Sequence, residues 1–247
     1  MMPKNPNSGV FIFPNWNAPP NVHAVMTTRV GGFSKSPFDS FNLATHVDDN
    51  LDTVLENRRL LKTELNLPTE PFWLEQIHSN TVVETQPNLI LPQADASFST
   101  RKNGVCVIMT ADCLPVLMCS NEGEKIAAIH AGWRGLANGI ISNTVAALKT
   151  KDLMVWLGAA IGAERFEVGD DVRDTFLKKS PDYSIAFKVH KNGWLADIYQ
   201  LARIELAHLG ITAVFGGEFC TVTDEEKFYS YRRDKQTGRM ATLIWRV

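Results

Sequence analysis

One pair of apolar runs constrains this chain more than any other feature. Leu114 to Ser120 and Lys125 to His130 flank the short polar stretch Asn121-Glu-Gly-Glu124. Apolar runs of this length bounded by turn residues read as buried strands, and a short Gly-containing connection joins them as a hairpin. With Glu122-Gly123 at the tip, Ser120 faces Lys125, Pro115 faces His130 and Cys113 faces Gly132. Side chains alternate along a strand, so Cys113 and Pro115 share a face, and His130 lies on it diagonal to Cys113. Diagonal neighbours sit roughly 7 Å apart at the backbone, within reach of long side chains. The hairpin therefore brings a thiol and an imidazole together.

His78 supplies a third group. It ends the strand-like run that begins at Phe72 and precedes Ser79-Asn80, which reads as a turn. Two His and one Cys at strand ends have the make-up of an open zinc site, with three protein ligands and a fourth position for water or substrate. Such an ion lowers the pKa of its water towards neutrality. Without a metal, Cys113 and His130 are a nucleophile and its base. An apolar-flanked Cys is also a common small core residue, and Cys106, Cys119 and Cys220 are assigned to packing. His23, His46, His190 and His208 have no comparable context and are read as surface or satisfied-core residues.

The chain has 247 residues, 45% of them apolar and 21% charged, with a net charge of −2. That length suits one large domain with a core that needs no disulfides. The four cysteines lack CxxC spacing and are expected as thiols in a reducing compartment. The charge balance argues against a nucleic-acid partner. No apolar run approaches the ~18 residues of a membrane helix, and Met1 to Trp16 has no apolar leader core. The expected location is cytoplasmic, as a monomer or small homo-oligomer. Dinucleotide, P-loop, nucleophile-elbow, zincin and zinc-deaminase signatures are all absent.

Leu51 to Leu65 is expected as an amphipathic helix capped by Asp49 or Asn50. Strands are expected at Val22–Thr28, Phe72–Ile77, Thr81–Glu84, Ala94–Phe98, Val105–Met109, Leu153–Gly158, Ala213–Phe215 and Ala241–Trp245. One helix is expected from about Arg134 to Leu148, and others at Asp170–Lys178 and Ala196–Leu209. Strands in the middle with helices at the flanks make an α+β fold. Arg29, at a strand end before Gly31-Gly32, can clamp phosphate or carboxylate. The cation-rich stretch from Tyr229 to Arg239 reads as a substrate-facing loop, and the turn Gly132 to Gly135 can present backbone N–H groups to an anion.

At these residues the sequence resembles the YfiH/YlmD family of bacterial proteins, once labelled laccase-domain or multicopper polyphenol oxidases. The segments that carry the resemblance are TTRVGGFS (27–34), FNLATHVDD (41–49), QIHSN (76–80), ADAS (94–97), TADCLPV (110–116), HAGWRG (130–135) and YSYRRDKQTGRMATLIW (229–245). The resemblance implies a single catalytic domain over 1–247, built as a four-layer αββα sandwich similar to the cytotoxic necrotizing factor catalytic domain. It implies a metal site, zinc or copper, on His78, Cys113 and His130, which are also the catalytic residues. The expected substrate- and phosphate-binding residues are Arg29, Asn42, Gln76, Asp112 and Arg233.

The activity so implied is purine nucleoside phosphorolysis on adenosine, inosine, guanosine and methylthioadenosine, with adenosine deamination at the same site. Purine nucleosides and inorganic phosphate are then the partners. Asp112 or Glu75 can move protons. A multicopper oxidase meets an objection: the chain has six His and no His-x-His pair. A single copper site needs a weak axial ligand such as Met109. Zinc therefore ranks above copper. A metal-free Cys–His hydrolase or deamidase, and a non-catalytic nucleotide-sensing module, are the alternatives.

Overall fold

A computed structural model describes residues 9–87 and 91–247, so part of the Met1 to Trp16 stretch lies outside it. In chain order the strands are β1 (Phe11–Ile12), β2 (Val22–Thr27), β3 (Val82–Glu84), β4 (Ala96–Ser99), β5 (Val105–Thr110), β6 (Leu114–Ser120), β7 (Ile126–Ala131), β8 (Leu153–Leu157), β9 (Glu167–Val168), β10 (Phe187–His190), β11 (Gly193–Ala196), β12 (Val214–Gly216) and β13 (Met240–Arg246). The helices are α1 (Leu51–Glu64), α2 (Trp133–Ala137), α3 (Ile140–Leu148), α4 (Asp170–Leu177), α5 (Ile198–His208) and α6 (Tyr231–Asp234), with a 3₁₀ turn at Pro181–Ala186. A four-stranded sheet has the order β1-β2-β13-β5, and a six-stranded sheet the order β12-β8-β6-β7-β4-β3. Parallel pairs at β12/β8 and β3/β4 make the larger sheet mixed. The result is a single α+β domain. Among the described residues, no helix is long and apolar enough to cross a membrane.

β6 and β7 pair as the turn predicts, with Leu114 opposite Ala131 and Pro115 opposite His130. Gly123 takes a φ of +71°, closing the turn onto Ser120. Along β6 the alternate residues Val116 and Met118 pack against α3 and α5 through Ile141, Val145 and Leu201. Leu117 and Cys119 point the other way, onto Met26, Cys106, Ile108 and Ile244 of the smaller sheet. Both faces are buried, which is why β6 reads as a continuous apolar run instead of an alternating one. The opposite face of the smaller sheet, with Val25, Val107 and Leu243, meets Leu61 of α1.

Three expectations are corrected. The helix expected from Arg134 to Leu148 is two helices, because Gly139 adopts a φ of +80° between α2 and α3. Phe72 to Ile77 forms no ladder, and its backbone bridges are isolated ones at Phe72–Cys106 and Glu75–Gln93. There the Gln76 side chain replaces the ladder: its Nε2 donates to the Met109 carbonyl and its Oε1 accepts from the Met109 N–H, both at 2.7 Å. On α1 the apolar residues Leu51, Val54, Leu55, Leu61 and Leu65 follow helical spacing, yet Leu51 and Leu55 are exposed and the helix buries Val54, Asn57 and Leu61. The small sheet of β9, β10 and β11 is an addition to the expected elements.

Candidate metal and active centre

Three segments converge at one end of the β6–β7 hairpin. Cys113 stands just before β6, His130 lies within β7, and His78 sits in the loop after the Gln76 clamp. One ligand atom from each can be chosen so that all lie within 4.8 Å of one another. The Cys113 Sγ is 3.9 Å from His78 Nε2, and the two imidazoles meet edge to face with centroids 4.8 Å apart. His130 is buried, Cys113 half-buried and His78 exposed, so the group opens to solvent on the His78 side. His78 has a φ of +59°. A Cβ on Gly132 would stand 3.0 Å from Sγ and 3.3 Å from His78 Cδ2, so this position admits only glycine without moving the group.

The arrangement is held by a residue to which sequence reasoning gave no role. Asp95, fully buried next to β4, accepts from His130 Nδ1 at 2.7 Å and from the His78 N–H at 3.0 Å through one oxygen. Its other oxygen accepts from the Ile77 N–H at 3.3 Å and from both the N–H and the hydroxyl of Ser79. One carboxylate therefore fixes the backbone that carries His78 and the ring of His130. The available signal was an acid among small residues in 94–97, which nothing in the local pattern ties to a distant loop.

Electrostatics follow from this geometry. Burial pushes the Asp95 carboxyl up, but the hydrogen bonds from His130 and Ser79 outweigh it and bring the value to about 2. Burial likewise raises the Cys113 thiol, yet His130 and His78 pull it down to about 6. His130 moves the opposite way, since the Cys113 thiolate and Asp95 overcome burial and raise it to about 9. Without a metal the pair is a thiolate and an imidazolium. The donor set fits zinc or copper: a thiolate near neutrality, and a His130 whose Nδ1 is engaged by Asp95 so that Nε2 is left to ligate.

The other residues named from the sequence fall in three places. Gln76 and Asp112 adjoin the centre and brace it. The Asp112 oxygens accept from the Thr221 hydroxyl and the Arg232 N–H, each at 2.6 Å. Asn42 is buried, bonding Ala44, Asp49 and the Arg239 N–H. Arg29 and Arg233 are tied into the protein. Arg29 donates to Asp39 and the Glu225 carbonyl, and Arg233 to Asp234 and the carbonyls of Thr221, Val222 and Phe228. The Met109 sulfur faces the Arg58 guanidinium at 4.0 Å, and Glu75 is exposed. Cys106 and Cys119 are buried as expected, whereas Cys220 is half-buried with its sulfur accepting from the Gly162 N–H. His46 is exposed, as expected of a surface residue, and the charges of Arg239 and Arg58 act on it.

Known proteins share this chain's sequence and shape. A family model described as multi-copper polyphenol oxidoreductase laccase matches residues 23–247. The purine nucleoside phosphorylase YfiH of Shigella flexneri is 49% identical over 239 residues, spanning 96% of this chain and 98% of that protein. The purine nucleoside phosphorylase PA4543 of Pseudomonas aeruginosa is 51% identical over 239 residues, spanning 95% and 98%. The crystal structure of the Neisseria meningitidis protein NMB0706 superposes with a TM-score of 0.93 at 47% identity, covering 96% of this chain and 99% of that one.

Proposed function

Because this chain belongs to the YfiH/YlmD family, we propose that it is a purine nucleoside phosphorylase with adenosine deaminase activity at the same centre. Its substrates are adenosine, inosine, guanosine and methylthioadenosine, with inorganic phosphate as co-substrate. One observation carries the reading: the His78–Cys113–His130 group, braced by Asp95, stands in a chain about half identical to proteins named purine nucleoside phosphorylases. The catalytic unit is the whole chain, 1–247. Its stacking of α1, the two sheets and α3 with α5 is taken as the four-layer αββα sandwich similar to the cytotoxic necrotizing factor catalytic domain.

In phosphorolysis the C1′–N9 bond breaks, a C1′–O bond to phosphate forms, and the departing purine takes up a proton. Positive charge develops on the sugar, so a phosphate held against it lowers the barrier. His78, Cys113 and His130 would hold the metal, with zinc preferred and copper as the alternative. A bound zinc supplies Lewis acidity and lowers the pKa of water towards neutrality. Asp95 keeps the His130 proton on Nδ1 and the His78 loop in place. Gln76 locks that loop to β5, and Asp112 locks the turn before Cys113 to the segment that begins α6.

Multicopper oxidase chemistry is not assigned. The remaining imidazoles are dispersed: His23 stacks on Trp245, His190 meets Glu167, and His208 meets Asp182. A second reading has an observation in its favour, since Asp95 accepts from His130 Nδ1 and the Cys113 thiol lies within 4.8 Å of that imidazole, the make-up of a metal-free cysteine hydrolase. Chromatography of adenosine and inosine incubated with protein, with and without phosphate, separates the readings. Phosphate-dependent release of free base, lost in Cys113→Ala, supports the phosphorylase, and inosine from adenosine without phosphate adds deamination. Unchanged nucleosides together with rapid alkylation of Cys113 in metal-free protein favour the hydrolase.

A further inference from the structure

A phosphorylase must hold phosphate, and the two arginines that sequence reasoning offered are engaged with protein acceptors. A different set of cations adjoins the centre. Arg239 leads into β13, whose first residue pairs with Thr110, three positions before Cys113. Its guanidinium uses only Nη1, on the carbonyls of Thr237 and Gly238, at 2.8 and 3.0 Å. Nε and Nη2 have no protein acceptor among the described residues. The Arg239 backbone is fixed by the Asn42 side chain and by Leu43, and Tyr231 lies 6.0 Å from its Cζ.

Arg58 reaches the same place from α1. Its Nε donates to the Leu43 carbonyl at 2.9 Å, and its plane lies 3.7 Å over the Trp73 ring. Nη1 has no protein acceptor, and Nη2 meets only the Met109 sulfur. His46 is exposed, two residues after Ala44, whose N–H bonds the same Asn42 Oδ1 that holds Arg239, and the charges of both arginines act on it. Burial lowers the pKa of Arg58 to about 10 and also lowers that of Arg239; His46 is lowered by burial and by the two guanidinium charges. Among the described residues none of the three forms a salt bridge with a carboxylate. Two guanidinium charges at half-buried positions with open N–H groups favour an anion between them, beyond the more distant charges of Glu70 on Arg58 and Asp112 on Arg239.

We propose that Arg239, flanked by Arg58 and His46, is the anion subsite of this centre and that its ligand is inorganic phosphate. The inference rests on the phosphorylase reading for the identity of the anion. A guanidinium with two open N–H groups matches a tetrahedral oxyanion bidentately. The position suits the reaction, because Arg239 precedes Met240, which pairs with Thr110 three residues before Cys113. Asn42 thereby becomes a positioning residue: its Oδ1 holds the Arg239 N–H and the Ala44 N–H together.

The test uses the metal-loaded protein and two readouts, phosphate KM in inosine phosphorolysis and calorimetric titration with inorganic phosphate alone. Arg239→Gln raises the phosphate KM by at least about tenfold and weakens the calorimetric affinity by a similar factor, as expected for losing charge-assisted hydrogen bonds. Arg239→Lys restores part of the affinity, because a point charge remains without the fork. If Arg239→Gln does not fold, His46→Gln on the exposed rim carries the test, with a phosphate KM raised about threefold or more. A phosphate KM and affinity within about twofold of wild type in the folded variants would overturn the proposal. Phosphate binding that depends on Arg239 in a protein that does not cleave nucleosides keeps the subsite and rejects the phosphorylase reading. Cleavage that is indifferent to Arg239 does the reverse.

Discussion

Asp95→Asn perturbs one carboxylate that serves two ligands. Depression of its pKa from 3.8 to about 2 corresponds to about 2.5 kcal/mol of preferential stabilisation of the charged form in the folded protein. The hydrogen-bond geometry gives an independent figure. Each Asp95 oxygen accepts from at least one backbone N–H, so an amide NH₂ placed on either side faces donors it cannot satisfy. One orphaned buried donor costs about 1–3 kcal/mol, a range that includes this figure. At about 2–4 °C per kcal/mol for a chain of this size, the melting temperature falls by about 5–10 °C. The alternative placement relieves the clash at His130 only if the ring moves its proton to Nε2, the atom needed for ligation. Metal affinity then falls by about 10–100-fold. Thermal melts and a chelator-competition titration measure the two effects, and nitrogen NMR of the His130 ring reports the tautomer. An Asp95→Asn protein with wild-type melting temperature and metal affinity would refute the reasoning.

Further outcomes follow from single contacts. The Asp95 contribution is complete above about pH 4 and is lost as pH falls towards 2, so acid unfolding of wild type is steeper there than that of Asp95→Asn. Gly132→Ala drives a methyl into Sγ and the His78 ring; chelator competition shows metal affinity lowered by at least about tenfold. In chelator-treated protein, Cys113 alkylation rises with a midpoint at about 6 instead of near 9, and added zinc suppresses it; a midpoint near 9 contradicts the thiolate pair. Asn57→Ala removes bonds to the Phe33 N–H, the Ser34 hydroxyl and the carbonyls of Ser40 and Asn42, and denaturant unfolding shows a loss of about 3 kcal/mol.

The centre was legible where short-range rules act. Period-two alternation and one Gly turn set the β6–β7 register, and that register alone placed Cys113 near His130. The helix α1 was legible from its spacing and from Asn50, whose side chain accepts from the Thr53 N–H. What stayed hidden depends on contacts between distant segments. Asp95 organises residues 16–18 positions before it and one 35 positions after it. Phe72 to Ile77 has the composition of a strand, but Gln76 pairs with β5 through its side chain, which no periodicity reveals. Arg29 and Arg239 look alike in sequence. Only tertiary acceptors separate a guanidinium locked to Asp39 and Glu225 from one with open donors.

The place of β13 between β2 and β5 has a consequence for synthesis on the ribosome. These two strands emerge early and share no ladder until residues 240–246 arrive to join them. Until then a nascent chain presents two unpaired apolar edges, and Arg239 and the Arg232 N–H partner of Asp112 have not yet been added. Truncated products therefore carry a hairpin and its thiol without the strand that shields them, a state prone to edge-to-edge association.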